Sequence, residues 1–165
     1  MSEASEALPD GLAQIRAMIA NGQQAPIGET LNFHLVEVDR GLAVFEGTPD
    51  RSVYNPLGTV HGGYFATLLD SACGVALHTM LDAGRGYTTL ELKISYLRGL
   101  NVDSGTVRAT GRVLSSGRRV AFTEASLHDG SGRLCATATS TLLIFDAEAG
   151  ARGTLDARSP SGGSR

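Results

Sequence analysis

The residues best suited to chemistry lie in one short segment, directly ahead of a long apolar stretch. His61, Gly62 and Gly63 stand where that stretch begins, and Asn55 stands shortly before them. If a helix begins at the two glycines, its first backbone N–H groups have no acceptor within the helix and lie at the positive end of the helix dipole. Such groups stabilise a developing oxyanion, and glycine lets a substrate approach the backbone closely. The segment predicts a site for chemistry at a carbonyl group, the alternative being an ordinary turn into a helix.

Asp70 is the only carboxylate in the apolar stretch of residues 64–81. Burying a charged carboxylate is costly, and a weakly solvated carboxylate is a stronger base. Asp70 is therefore a candidate base or nucleophile, the alternative being a place on a narrow polar stripe of the helix. It lies nine residues after His61 (70 − 61 = 9), about 13 Å along a helix axis. Because that distance is too long for a direct pair, we expect two chains to contribute to one site.

The elements that would position these residues follow from the spacing of apolar side chains. Residues 64–81 are too long for a strand and too apolar for a surface helix, so they predict a central helix covered by other elements. A first amphipathic helix is expected between Pro9-Asp10 and Asn21-Gly22. An alternating run over residues 31–38, the turn 39–41 and a second run from Leu42 predict a hairpin.

Four further β-like runs follow the central helix, separated by turn residues. They cover residues 87–97, 106–114, 120–128 and 134–145, and their short connections predict an antiparallel meander. The expected fold is α+β, with a curved antiparallel sheet wrapped around a long central helix. Because the edges of such a sheet need to be paired, a dimer that extends the sheet is expected.

The length of 165 residues predicts one domain over residues 1–146, with a frayed segment at 1–8 and a disordered Gly- and Ser-rich tail at 147–165. The net charge of −3 argues against partners that are nucleic acids or anionic membranes. No apolar run approaches the length of a bilayer span, and no secretory signal is visible, so a cytoplasmic protein is expected. Cys73 and Cys135 lie in apolar runs and predict buried thiols, and the four histidines lack the spacing of metal ligands.

The segment around residues 55–70 resembles the hotdog-fold acyl-CoA thioesterases, in particular the PaaI-like enzymes of phenylacetic acid degradation and the acyl-CoA thioesterase 13 type. The shared pattern is an Asn, a short Gly-containing loop, His-Gly-Gly and an acidic residue nine positions after the His. It is met here by Asn55, Gly58, His61, Gly62, Gly63 and Asp70. The resemblance extends over about residues 31–145 and includes Ile94-Ser95-Tyr96 and the segment 117–122.

This resemblance implies a role for each matching residue. Asp70 would be the catalytic carboxylate, acting across a dimer interface, and the Gly62 N–H would polarise the thioester carbonyl. Asn55 and His61 would orient the thioester and the loop. A hydroxyl that helps to place water would come from Thr89, or from its neighbour Thr88. The candidate residues for binding substrate or coenzyme A are Gly63, Thr88, Arg98, Gly117, Arg118 and Arg119.

Arg118 and Arg119 follow the turn residues 115–117 and have two interpretations. Arginine suits the pyrophosphate and 3′-phosphate of coenzyme A, and Arg98 could join them from either chain. The alternative is a solvated β-turn with exposed charges.

The function implied is hydrolysis of an acyl- or aryl-CoA thioester to free acid and coenzyme A, in a homodimer or a dimer-of-dimers tetramer that needs no cofactor or metal. One alternative is a non-enzymatic acyl-CoA-binding hotdog domain, against which Asp70 and the His-Gly-Gly segment argue. A hotdog dehydratase or hydratase is a further alternative, although its helix-start motif differs. The sequence leaves open the acyl group, the choice between dimer and tetramer, and the choice between a general-base and an anhydride route.

Overall fold

The structure is a computed structural model, and it describes residues 9–147. The helices are α1 (Gly11–Ala20), α2 (Pro26–Leu31) and α3 (Gly62–His78), with short 3-10 turns at Arg51–Val53 and Val102–Ser104. The strands are β1 (Phe33–Asp39), β2 (Leu42–Gly47), β3 (Arg85–Tyr96), β4 (Val107–Ser116), β5 (Val120–His128) and β6 (Leu134–Asp146).

All six strands form one antiparallel sheet in the order β1-β2-β4-β5-β6-β3, and the sheet packs against α3. The helix backbone approaches β4 so closely that a Cβ on Gly111 would lie 2.2 Å from the Ala72 carbonyl oxygen, so only glycine fits there. Leu68 and Leu69 of α3 are fully buried in the core between helix and sheet. The predicted α+β hotdog architecture, a curved sheet around a long central helix, is confirmed.

The predicted meander is wrong for β3. Strands β4, β5 and β6 follow one another through tight turns, but β3 pairs with β6 and forms an edge of the sheet. The chain after β3 does not turn back as a hairpin, because it crosses to the loop ahead of α3. There Leu100 accepts a hydrogen bond from the Val60 N–H, at 2.9 Å, and the Val102 N–H donates to the Tyr54 hydroxyl, at 2.7 Å.

The helices differ from the prediction in their bounds. α1 begins after its N-cap Asp10 and ends at Asn21, as predicted, whereas α2 was not predicted because six residues are too few to show a period. α3 begins at the two glycines and ends at His78 rather than at Leu81. It ends there because the Thr79 hydroxyl donates back to the Ala76 carbonyl and accepts from the Gly41 N–H.

Several expectations concern features away from the sheet. Cys73 and Cys135 are buried free thiols, as predicted. No helix among residues 9–147 is long and apolar enough to cross a membrane. The expected fraying at 1–8 and the expected tail from residue 147 lie outside the described residues, apart from Ala147, whose N–H donates to the Gly84 carbonyl.

Candidate active site

The start of α3 is organised by His61, its N-cap residue. The His61 Nδ1 accepts a hydrogen bond from the Gly63 N–H at 2.8 Å, and the His61 N–H donates to the Val53 carbonyl at 2.8 Å. Because Nδ1 is an acceptor, the neutral imidazole carries its proton on Nε2. Gly62 is the first residue of the helix, and within the described part of the chain no group accepts from its N–H. The helix therefore begins with one backbone donor available to a ligand.

Asn55 holds the loop that leads to this helix. Its Oδ1 accepts from the N–H groups of Leu57, at 2.9 Å, and Thr59, at 3.3 Å. Its Nδ2 donates to the Thr59 hydroxyl at 2.9 Å. All the polar atoms of the amide thus bind the loop itself, so the structure places Asn55 as an organiser of the loop ahead of His61.

Asp70 lies eight residues into α3 (70 − 62 = 8), on the flank of the helix that faces β3. The Thr89 hydroxyl donates to Asp70 Oδ1 at 2.9 Å, and both side chains are half-buried. Thr88 is exposed on the opposite face of β3, so of the two adjacent threonines the structure brings only Thr89 to the carboxylate. Burial, with a smaller contribution from the negative charge of Asp70, raises the pKa of Tyr87 to about 12.

The Gly62 N–H and the Asp70 carboxylate do not meet within one chain. Eight residues of helix separate them by about 12 Å along the axis. Asp70 is near the edge strand β3, which among the described residues has a neighbour on one side only. Leu90 in this strand and Leu97 directly after it are 59% and 56% exposed.

The candidate coenzyme A residues occupy two places. Gly117, Arg118 and Arg119 form the β4–β5 turn, where the Arg118 carbonyl accepts from Arg85 Nη2 at 2.8 Å. They are thus beside the start of β3, whereas Arg98 follows its end. A strand of twelve residues is about 36 Å long, so Arg98 lies far from the turn within one chain. The side chains of Arg98, Arg118 and Arg119 are exposed.

Tyr96 is a site residue to which sequence reasoning gave no role. Its hydroxyl donates to the Gly62 carbonyl at 2.9 Å, directly at the start of α3. The alternation of side chains along a strand could have indicated its position, because Ile94 and Tyr96 are two residues apart and so lie on the same face of β3. Among residues 9–147, no group of three or more His, Cys, Asp or Glu side chains is arranged to hold a metal ion.

Comparisons with known proteins define the class of protein. The model of the Thioesterase superfamily matches residues 57–136. The proofreading thioesterase EntH of Klebsiella pneumoniae is 30% identical over 126 residues, which cover 76% of this chain and 88% of that protein. Human acyl-coenzyme A thioesterase 13 is 30% identical over 108 residues, or 65% of this chain and 76% of that one. The chain belongs to the thioesterase superfamily, and it is a thioester hydrolase.

Two further comparisons concern the share of each protein that the match covers and the fold. A putative esterase of Saccharolobus solfataricus is 35% identical over 88 residues, which cover 53% of this chain and only 57% of that protein. The solved structure of the Escherichia coli PaaI protein, from the phenylacetic acid degradation operon, superimposes with a TM-score of 0.71. That match covers 82% of this chain and 93% of the other at 20% identity, so it shows the shared fold.

Proposed function

We propose that this protein hydrolyses acyl- or aryl-CoA thioesters, with Asp70 as the catalytic carboxylate and the Gly62 N–H as the oxyanion donor. The observation that carries the proposal is the hydrogen bond from Thr89 to Asp70 Oδ1. It fixes the only carboxylate on α3, and among the described residues no donor reaches its Oδ2. A fixed carboxylate with one free oxygen is what water activation requires.

The chemistry follows from the two groups. The thioester carbonyl oxygen lies at the Gly62 N–H, where the helix dipole and the free donor stabilise the negative charge that forms during addition. Asp70 takes a proton from water as the water oxygen adds to the carbonyl carbon, and the thiolate of coenzyme A then leaves and is protonated. In a second route Asp70 itself adds to the carbonyl carbon, the thiolate of coenzyme A leaves and is protonated, and water hydrolyses the mixed anhydride that remains. Both routes use the same two groups.

Each site is built from two protomers in this proposal. A two-fold axis beside β3 would pair the two β3 edges antiparallel and set the two α3 helices side by side. Asp70 of one protomer would then face Gly62 of the partner subunit, which bridges the separation of about 12 Å found within one chain. The assembly is a homodimer or a dimer of dimers.

The same arrangement accounts for the two groups of arginines. Antiparallel pairing brings the end of β3 in one protomer to the start of β3 in the other. Arg98 of one chain then approaches the turn that carries Arg118 and Arg119 of the other, at the end where Gly62 lies. These exposed arginines would bind the phosphates of coenzyme A while its thioester reaches the Gly62 N–H.

The experiment is a thiol-release assay over aryl-, arylacetyl- and straight-chain acyl-CoA substrates. Cys73 and Cys135 are buried, so the native protein contributes little thiol signal of its own. Asp70→Asn keeps the side-chain volume and should lower turnover by at least about a hundredfold, the scale for loss of a catalytic base. Asp82→Asn, on an exposed turn, is the matched control and should retain turnover. Wild-type turnover in the Asp70 variant would refute the proposal.

A further inference from the structure

Tyr96 lies against the first residue of α3. Its hydroxyl donates to the Gly62 carbonyl at 2.9 Å, and its ring is 3.3 Å from the position that a Cβ on Gly62 would take. The ring also packs edge-on against Phe65, with centroids 5.5 Å apart, and Phe65 is 2% exposed. Tyr96 itself is 53% exposed, so the core does not require its hydroxyl. The hydroxyl instead donates its hydrogen bond to one backbone carbonyl at the candidate site.

The peptide group between Gly62 and Gly63 is held on both sides. Its carbonyl accepts from Tyr96 Oη, and its N–H donates to His61 Nδ1 at 2.8 Å. The preceding peptide, which carries the Gly62 N–H, is fixed through its carbonyl, because the His61 carbonyl accepts from the Tyr64 N–H at 2.9 Å. Rotation at Gly62 is therefore restricted, although glycine is the residue with the greatest backbone freedom.

These bonds form one continuous chain. The Tyr96 O–H donates to the carbonyl of the 62–63 peptide, the N–H of that peptide donates to His61 Nδ1, and the His61 proton is left on Nε2. Hydrogen bonds aligned in this way polarise one another, so each donor along the chain is strengthened. The chain ends at the Nε2–H of His61, an exposed side chain on the residue that precedes Gly62.

We propose that Tyr96 is a positioning residue of the thioesterase site: its hydroxyl fixes the 62–63 peptide, and through it the direction of the Gly62 N–H and the tautomer of His61. This inference rests on the proposed function, since the Gly62 N–H matters only if it binds the thioester oxygen. Tyr96 does not touch the reacting atoms and acts through its neighbours, of which the Gly62 N–H is the proposed donor to the thioester oxygen. A preorganised donor is worth more in the transition state than in the ground state, so the effect falls on kcat.

The test is Tyr96→Phe, which removes the hydroxyl and keeps the ring packed on Phe65. We expect kcat to fall about tenfold, the scale for one lost hydrogen bond at a preorganised site, while KM changes less than about twofold. Tyr54→Phe is the matched control, because the Tyr54 hydroxyl also binds a neighbouring backbone group, the Val102 N–H, without touching the 62–63 peptide. It should keep kcat within about twofold of wild type, even if it lowers the melting temperature.

A second measurement needs no turnover. Nitrogen-15 NMR of the wild-type protein should show His61 with an unprotonated Nδ1 and a protonated Nε2, and in Tyr96→Phe the two shifts should move towards each other. Unchanged His61 shifts would overturn the inference, as would an unchanged kcat, a change confined to KM, or an equal loss of kcat in the Tyr54 control. A wild-type protein that hydrolyses no thioester would refute the proposed function, and the NMR comparison would still decide the role of Tyr96.

Discussion

Replacing Thr89 by Val removes the hydroxyl that binds Asp70 and changes little else, because the two side chains have nearly the same shape. The bond to be lost is 2.9 Å long and ends on a carboxylate. Hydrogen bonds to charged groups contribute about 1.5–3 kcal/mol, and the half-buried site favours the lower value. About 1.5 kcal/mol corresponds to roughly a tenfold change, so kcat/KM of Thr89→Val should fall about tenfold in a thiol-release assay.

The neighbouring residue supplies the control for this prediction. Thr88 is exposed on the opposite face of β3, so Thr88→Val should leave kcat/KM within about twofold of wild type. Thr89→Ser retains a hydroxyl and should recover most of the loss. Equal losses of activity in the two valine variants would refute a role for the Thr89 hydroxyl, as would a fully active Thr89→Val protein with an intact fold.

Two further predictions concern other parts of the chain. Replacing Arg118 and Arg119 by Ala should raise KM for acyl-CoA more than it lowers kcat, and the effect should shrink for a thioester truncated to the pantetheine arm; equal losses on both substrates would contradict phosphate binding. Burial lowers the pKa of His78, whose Nε2 lies 3.1 Å from Gln14 Oε1. The unfolded chain therefore binds more protons, and the free energy of unfolding should fall as pH drops below about 6.5. In urea unfolding at several pH values, the free energy of unfolding of His78→Gln should depend less on pH than that of the wild type. An unchanged dependence would show that His78 is not its source.

The sequence predicted the parts of the fold that depend on local patterns. The apolar run after His61 predicted the central helix, and the turn at residues 39–41 predicted the β1–β2 hairpin. The place of β3 at the edge could not be predicted, because it depends on a long-range crossing from the end of β3 to the loop ahead of α3. The neighbour of β3 is therefore set by long-range packing and not by its place in the order of strands.

The choice between Thr88 and Thr89 shows why part of the site escaped prediction. Strict alternation from Tyr96 and Ile94 along β3 would turn Thr88 inwards and Thr89 outwards. The register of β3 against β6 shifts between Thr89 and Glu91, where Leu90 is an extra residue in a bulge. The bulge moves Thr89 to the inner face, beside Asp70. No residue type around Leu90 predicts a bulge, so the register between β3 and β6 could be obtained only from the structure.

The most direct test of the shared site is complementation between two inactive chains. One carries Asp70→Asn, and the other carries Gly62→Val, whose side chain would crowd the Tyr96 ring and cover the Gly62 N–H. Each homodimer should be nearly inactive. In a heterodimer, one of the two sites combines an intact Asp70 with an intact Gly62, so a fully exchanged equal mixture should regain about a quarter of wild-type activity. Confirmed subunit exchange without any return of activity, or a stable monomer with full activity, would contradict a site built from two protomers.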